Sequence, residues 1–194
     1  FFAGKLAVAT GLTQGCSPIG PAHEVTEAED NIVKALDGRP AFEVFGEEIG
    51  EVLSRNPERI AGYIHVALPI AGSDSNDYLV RNLIGIDRQK GWLAIGDQVE
   101  RGRRLLFVRR DRDAAERDLR QMLEKLRGRA GTAIKGGVYF ACVARGANLF
   151  GADSQEMAIL ADALGPVPLV SFLANGEICH NRLYGYTGVL ALFL

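Results

Sequence analysis

The chain has 194 residues, 47% apolar and 24% charged, with a net charge of −2. That length fits one domain, or one and a fraction, with a sizeable core, and the charge balance gives no electrostatic case for nucleic acid or an anionic membrane. No apolar run reaches the ~18 residues of a membrane-spanning helix, and Cys16, Cys142 and Cys179, in neither metal-ligand nor disulfide spacing, point to free thiols in a reducing, cytoplasmic setting.

The chain opens Phe1-Phe2, inside an apolar segment and without Met, and reads as a fragment lacking an N-terminal part and a signal peptide. Lys5 to Thr10 is β-prone. Gly15 to Pro21 holds two prolines and two glycines, which predict an irregular path that lines a pocket or merely crosses between elements. Glu24–Ala28 and Ile32–Leu36 read as strands, and Asp37-Gly38 turns the chain. Pro40 then suits the first position of a helix carrying Ala41, Phe45, Ile49, Val52 and Leu53 to a stop at Asn56-Pro57.

Ala61 to Ile70 reads as a buried strand, in which His65 is more readily a core residue than a ligand. Gly72 to Asp77 is a loop. Tyr78–Ile86, Trp92–Ile95 and Leu105–Val108 predict an antiparallel meander. Arg81, mid-strand, either points to solvent or pairs with an acid. Asp111 or Asp113 caps a helix whose stripe is Ala115, Leu119, Met122, Leu123 and Leu126, an amphipathic helix on a sheet. Gly128 to Lys135 reads as a flexible connection.

The C-terminal third organises the rest. Strands at Gly137–Cys142 and Pro168–Leu173 each run into a polar, Gly-containing turn, the first with Arg145-Gly146 and the second with Asn175-Gly176-Glu177. Asp153 to Glu156 has capping-box spacing and opens a helix between them. Thr187 lies early in a last strand. Irregular alternation of helices and strands predicts an α+β fold, with mixed and antiparallel β-sheets flanked by a few helices.

Nothing in the sequence demands catalysis, and the chain reads as non-enzymatic. It has no GxSxG, Walker loop, HExxH or suitably placed GxGxxG, and His23, His65 and His180 lie far apart. Cys179 and His180 are neighbours, which on a strand point to opposite faces and converge only if they sit on a turn. Arg145 offers a planar fork for a carboxylate, and Glu177 a seat for an ammonium group, together matching the two poles of an amino acid. The plain alternative is that Arg145 and Glu177 pair with each other or cap helix ends. If they are surface contacts, replacing either changes stability by no more than ~1 kcal/mol.

The ordered set Gly15 to Pro21, Leu36 to Pro40, Tyr78 to Asn82, Gly136 to Gly146, Pro168 to Ile178 and Leu183 to Gly188 resembles the FIST family (F-box and intracellular signal transduction proteins). The resemblance implies that residues 1–45 are the tail of an N-terminal FIST domain and 46–194 a C-terminal FIST domain. It further implies a cytoplasmic sensory module that binds a small ligand such as an amino acid and signals through a partner such as a histidine kinase. Neither nucleic acid nor membrane is involved. The ligand-binding residues expected are Cys142, Arg145, Gly146, Asn175, Gly176, Glu177 and Thr187, with no catalytic residue, metal or cofactor expected. Alternatives are a protein–protein interaction module without a small ligand, and a haem-dependent nitric-oxide sensor with His180, His65 or Cys179 as candidate ligands. Tyr184 departs from the family pattern, which carries His there in many members.

Overall fold

The structure, a computed structural model, describes residues 6–50, 62–70, 77–131, 134–153 and 155–194. Its contacts divide the chain into two compact units, Ser17–Arg110 and a discontinuous one formed by Phe1–Cys16 with Asp111–Leu194. Helices accompany mixed and antiparallel sheets, the α+β class predicted.

The chain begins with β1 (Val8–Thr13) and β2 (Cys16–Pro18), so the Pro/Gly-rich stretch contains a short strand where an irregular path was expected. Next come β3 (His23–Glu29), β4 (Ile32–Leu36), β5 (Arg39–Pro40), helix α1 (Ala41–Ile49), β6 (Ile64–Pro69), β7 (Tyr78–Asp87), β8 (Trp92–Ile95) and β9 (Arg104–Arg110). Six of these strands pair antiparallel around a ring, β9-β3-β4-β8-β7-β6, and β6 pairs back onto β9 to close it. Ile64, Val66 and Leu68 on β6, and Leu105 and Phe107 on β9, recur at every second residue and are buried in one core. Helix α1 adds Val44, Phe45 and Ile49 to that core, with the Phe45 and Phe107 rings 5.0 Å apart. Pro40 stands just before the helix rather than in its first position, and Gly50, at φ 81°, follows its end. The expected stop at Asn56-Pro57, and the loop over 72–76, lie outside the described residues.

The meander expectation is half met. β7 and β8 are neighbours, but β9 pairs with β6 and β3 instead of β8. Arg81 takes the acid-paired alternative, its Nε 2.8 Å from Asp97 Oδ2. His65 is a core residue at 2% exposure. Burial, and after it the charge of Arg110, push its pKa down to about 4, so the imidazole stays neutral.

The other unit is built on the sheet β1-β14-β10-β11, from β10 (Gly136–Cys142), β11 (Leu169–Ala174) and β14 (Gly188–Phe193). Only β10 and β11 run parallel. Helix α2 (Arg112–Ala130) is capped by Asp111, whose Oδ1 accepts from Ala114 N at 2.9 Å. Its predicted stripe is buried against Tyr139, Ala141, Leu190 and Leu192 on one face of the sheet. Gly11 permits the close approach of α2 to β1, since a Cβ there would lie 2.6 Å from Met122 Sδ.

Between β10 and β11 run α3 (Gly146–Phe150) and α4 (Gln155–Leu164), so the two parallel strands and their helices form a βαβ crossover. Residues 146–150 are helical where a turn was expected. A second departure is the hairpin of β12 (Glu177–Cys179) and β13 (Arg182–Tyr184), turned at His180 with φ 54°.

Candidate functional site

Strand register brings four chain segments to one end of the four-stranded sheet. Thr13, the last residue of β1, pairs with Gly188, the first of β14, which in turn pairs with Ala141. Cys142 and Ala174 end the parallel strands side by side. Backbone bonds tie the loops there: Cys142 N donates to Thr187 O (2.9 Å), Val143 N to Ala174 O (2.8 Å) and Arg145 N to Cys142 O (2.8 Å). The carboxyl ends of parallel strands in open α/β sheets are a common ligand position. All seven expected site residues lie on these segments: Cys142, Arg145 and Gly146 after β10, Asn175, Gly176 and Glu177 after β11, and Thr187 before β14.

Their roles differ. Arg145 is 0% exposed, so the surface scale of ~1 kcal/mol does not apply to it. Its Nε donates to Glu156 Oε1 at 2.7 Å, and its Nη2 lies 2.6 Å from the same oxygen without hydrogen-bond alignment. Tyr139 Oη donates to that oxygen as well, at 2.6 Å. The Phe150 ring lies under the guanidinium, 5.1 Å from Cζ to the ring centroid. Burial works against the charge of Arg145, but the neighbouring Tyr139 and Glu156 outweigh it and raise its pKa. Burial likewise lifts Tyr139 well above its ordinary 10, and the phenol stays protonated as the donor. Arg145 Nη1 has no hydrogen-bond partner among the described residues.

Glu177 is 2% exposed. Its Oε2 accepts from Thr187 Oγ1 at 2.6 Å, while Oε1 is buried without a partner among the described residues. Burial pushes its pKa up to about 7, against the hydrogen bonds from Thr187 and the charge of Arg145, which pull it down, and with Glu156, which adds to the rise. Arg145 therefore pairs with Glu156, not with Glu177. Among the described residues, one oxygen of the buried Glu177 has no hydrogen-bond partner.

The remaining candidates shape the site. A Cβ on Gly176 would lie 3.0 Å from Tyr184 O and 3.0 Å from Leu183 Cδ1, so its lack of a side chain lets the hairpin fold close against this loop. Gly146 faces Leu173, 3.5 Å from where a Cβ would stand. Cys142 is buried and Asn175 is exposed. Cys179 is buried and its neighbour His180 is exposed on the hairpin turn.

Sequence reasoning missed Tyr139, Glu156 and Thr13. Glu156 carried a usable signal, an acid on the same stripe as Ile159 and Leu160 at i+3 and i+4, and all three are buried. Its spacing from Asp153 had read as a capping box, but Glu156 Oε1 is taken by Tyr139 and Arg145. Thr13 is 0% exposed, and its Oγ1 has no hydrogen-bond partner among the described residues.

Comparison with known proteins gives two family matches in tandem. The FIST N domain model matches residues 1–39 and the FIST C domain model residues 41–180. An uncharacterized protein of Mycobacterium tuberculosis (strain ATCC 25618 / H37Rv) is 33% identical over 191 residues, covering 94% of this chain and 50% of its own length. An uncharacterized protein of Mycobacterium bovis (strain ATCC BAA-935 / AF2122/97) is 32% identical over 192 residues, with the same coverage of each chain. The chain spans about half the length of the curated relatives it matches. Among the described residues no helix is long and apolar enough to cross a membrane.

Proposed function

The chain belongs to the FIST family, whose domains are sensory domains of signal transduction, and we propose that it binds a small amino-acid-like ligand without transforming it and relays its occupancy to a signalling partner such as a histidine kinase. One observation carries this reading: Arg145 Nη1 and Glu177 Oε1 are buried at the same end of the sheet and lack partners among the described residues. Leaving a buried polar atom unsatisfied costs about 1–3 kcal/mol, and more for charged groups. A ligand carrying a carboxylate beside an ammonium would satisfy both. Glu156 neutralises part of the guanidinium beforehand, which favours a zwitterion over a simple anion.

The test is a thermal-shift screen against the twenty L-amino acids taken singly. A ligand present at ~100 times its dissociation constant and bound only by the folded state adds roughly 2.7 kcal/mol. A selective rise in Tm, lost in Glu177→Gln, supports the reading; if no amino acid raises Tm, it fails.

A second reading, an interaction module without a small ligand, is favoured by the helix-free face of the sheet. Val8, Val138, Phe140, Val170 and Phe172 alternate with the helix-facing residues. Val170 and Phe172 are 54% and 53% exposed, and the Phe140 and Phe172 rings stack 5.7 Å apart. Strand β11 lies at the edge of the sheet and has no charged residue or proline over Leu169–Ala174 to protect that edge.

A further inference from the structure

Thr13 and Gly188 are paired residues of antiparallel strands, so their side-chain positions lie on one face, about 4.5–5.5 Å apart. The space that a Gly188 side chain would fill holds the Tyr139 hydroxyl, 2.0 Å from the ideal Cβ. That hydroxyl bonds Glu156, which bonds Arg145. Two residues beyond Thr13, Gly15 packs close to Arg145 Nη1, since a Cβ there would be 3.1 Å from Nη1 and 2.4 Å from Tyr186 O. Gln14 N, between them, is held by Asp118 Oδ2 at 2.7 Å, which fixes the course of this segment. The Thr13 hydroxyl thus sits fully buried and unpartnered beside the Tyr139–Glu156–Arg145 group.

We propose that Thr13 is a ligand-binding residue, its hydroxyl and Arg145 Nη1 together taking the carboxylate of an α-amino acid whose ammonium faces Glu177. The proposal rests on the ligand-binding reading above and assigns the site a wall that comes from the first strand. Thr13 lies in the region matched by the FIST N domain, while Arg145 and Glu177 lie in the region matched by the FIST C domain. A bound ligand therefore joins side chains from both matched regions, and occupancy tightens the seam between β1 and β14. A hydroxyl beside a guanidinium donates to a carboxylate, whose charge makes both bonds stronger than those to the neutral oxygen of its carboxamide.

The experiment uses the whole chain and the twenty L-amino acids singly, followed by the carboxamide of each that raises Tm. Calorimetric affinities are then compared for wild type, Thr13→Val and Thr13→Ser. Thr13→Val keeps the β-branched shape of the strand residue and replaces a buried, unpaired hydroxyl by a methyl group, so Tm of the free protein stays level or rises. Its affinity for the amino acid falls tenfold or more, and its preference for acid over carboxamide shrinks. Thr13→Ser retains both. If Thr13→Val does not fold, Thr13→Ala is read in the same way. Wild-type affinity and preference in the valine or alanine variant overturn the role of Thr13 and leave the ligand-binding reading standing. No binding of any amino acid by wild type overturns both.

Discussion

The hydroxyl of Tyr139 stands where a side chain on Gly188 would have to go. The ideal Cβ of an alanine at 188 lies 2.0 Å from Tyr139 Oη and 2.6 Å from its Cζ, on the strand that pairs directly with β10. Tyr139 cannot withdraw, because its ring is buried under α2 and its hydroxyl bonds Glu156. Gly188→Ala is therefore expected to destabilise this unit by about 1–3 kcal/mol, the usual cost of overpacking. Adding Tyr139→Phe relieves the contact with the hydroxyl and recovers part of the loss. Urea unfolding of the two variants, alone and combined, measures the coupling.

Arg145 and Glu156 form a buried pair, and the cost of breaking such a pair differs from that of removing it. Arg145→Met alone leaves the buried Glu156 carboxylate without its cation, its Oε1 still bonded by Tyr139, and a loss of about 3–5 kcal/mol is expected. The double variant Arg145→Met/Glu156→Met should lose less than the sum of the two single changes. An additive cycle would show that the two charges do not depend on each other.

Glu177 makes stability fall between acid and neutral pH. Its folded pKa is raised from the ordinary 4.5 to about 7, so the folded protein holds this proton more tightly than the unfolded chain does. The contribution is fully present below about 4.5 and lost as pH rises through about 7, a span on the order of 3 kcal/mol. Glu177→Gln keeps a neutral group at all pH values. Unfolding curves at pH 5 and pH 8 should show the variant gaining on wild type at the higher pH. Parallel curves at both would remove the slope from Glu177.

His65 acts in the opposite direction in the barrel. Its folded pKa is lowered from 6.5 to about 4, so its contribution is present above about 6.5 and lost as pH falls through about 4. Trp92, the single tryptophan of the chain, lies on barrel strand β8 and reports this unit by fluorescence. His65→Leu should flatten the acid limb of the Trp92 transition. An unchanged limb would assign acid sensitivity to other groups.

The helix-free face of the other unit makes a prediction about mass. If Phe140, Val170 and Phe172 form a docking surface, light scattering should show a mass that rises with concentration, and Phe172→Lys should hold the protein monomeric with little change in Tm. A concentration-independent monomer would set the interaction reading aside.

What was legible in the sequence was local. The stripe Ala115 to Leu126 gave helix α2 because five apolar residues share one face, and Trp92–Ile95 gave β8 because turns bound it on both sides. Closure of the barrel was not legible, since the pairing of β6 with β9 joins residues about forty apart and leaves no periodic mark. Short elements escaped for a related reason: β12 and β13 have three residues each, too few for alternation to show. The site segments could be read as strand ends, and register brings them together. The partner of Arg145 was sought at a neighbouring loop tip, in Glu177, but it lies on the buried face of a helix, in Glu156. Thr13 lies beyond the β-prone run Lys5 to Thr10, and nothing in the sequence marks its hydroxyl as one left without a partner among the described residues.

The discontinuity of the second unit sets an order of events during synthesis. Strand β1 precedes the whole of Ser17–Arg110 in the chain, and its partner β14 follows it. The barrel unit has all its strands in hand once Arg110 has been translated, whereas β1 must wait for its partner until β14 has been made as well. Domains generally fold as units as they emerge, so the inserted barrel is positioned to fold first and to shorten the effective loop that separates β1 from its sheet. The bond from Asp111 N to Gly15 O, at 3.4 Å, shows that the flanks of the insertion finish side by side. A folded insertion with adjacent ends turns a closure over nearly a hundred residues into a short one. Ribosome-stalled nascent chains long enough to carry Arg110 clear of the exit tunnel, but stopped short of β14, should accordingly already protect the barrel from protease while leaving β1 exposed to cleavage.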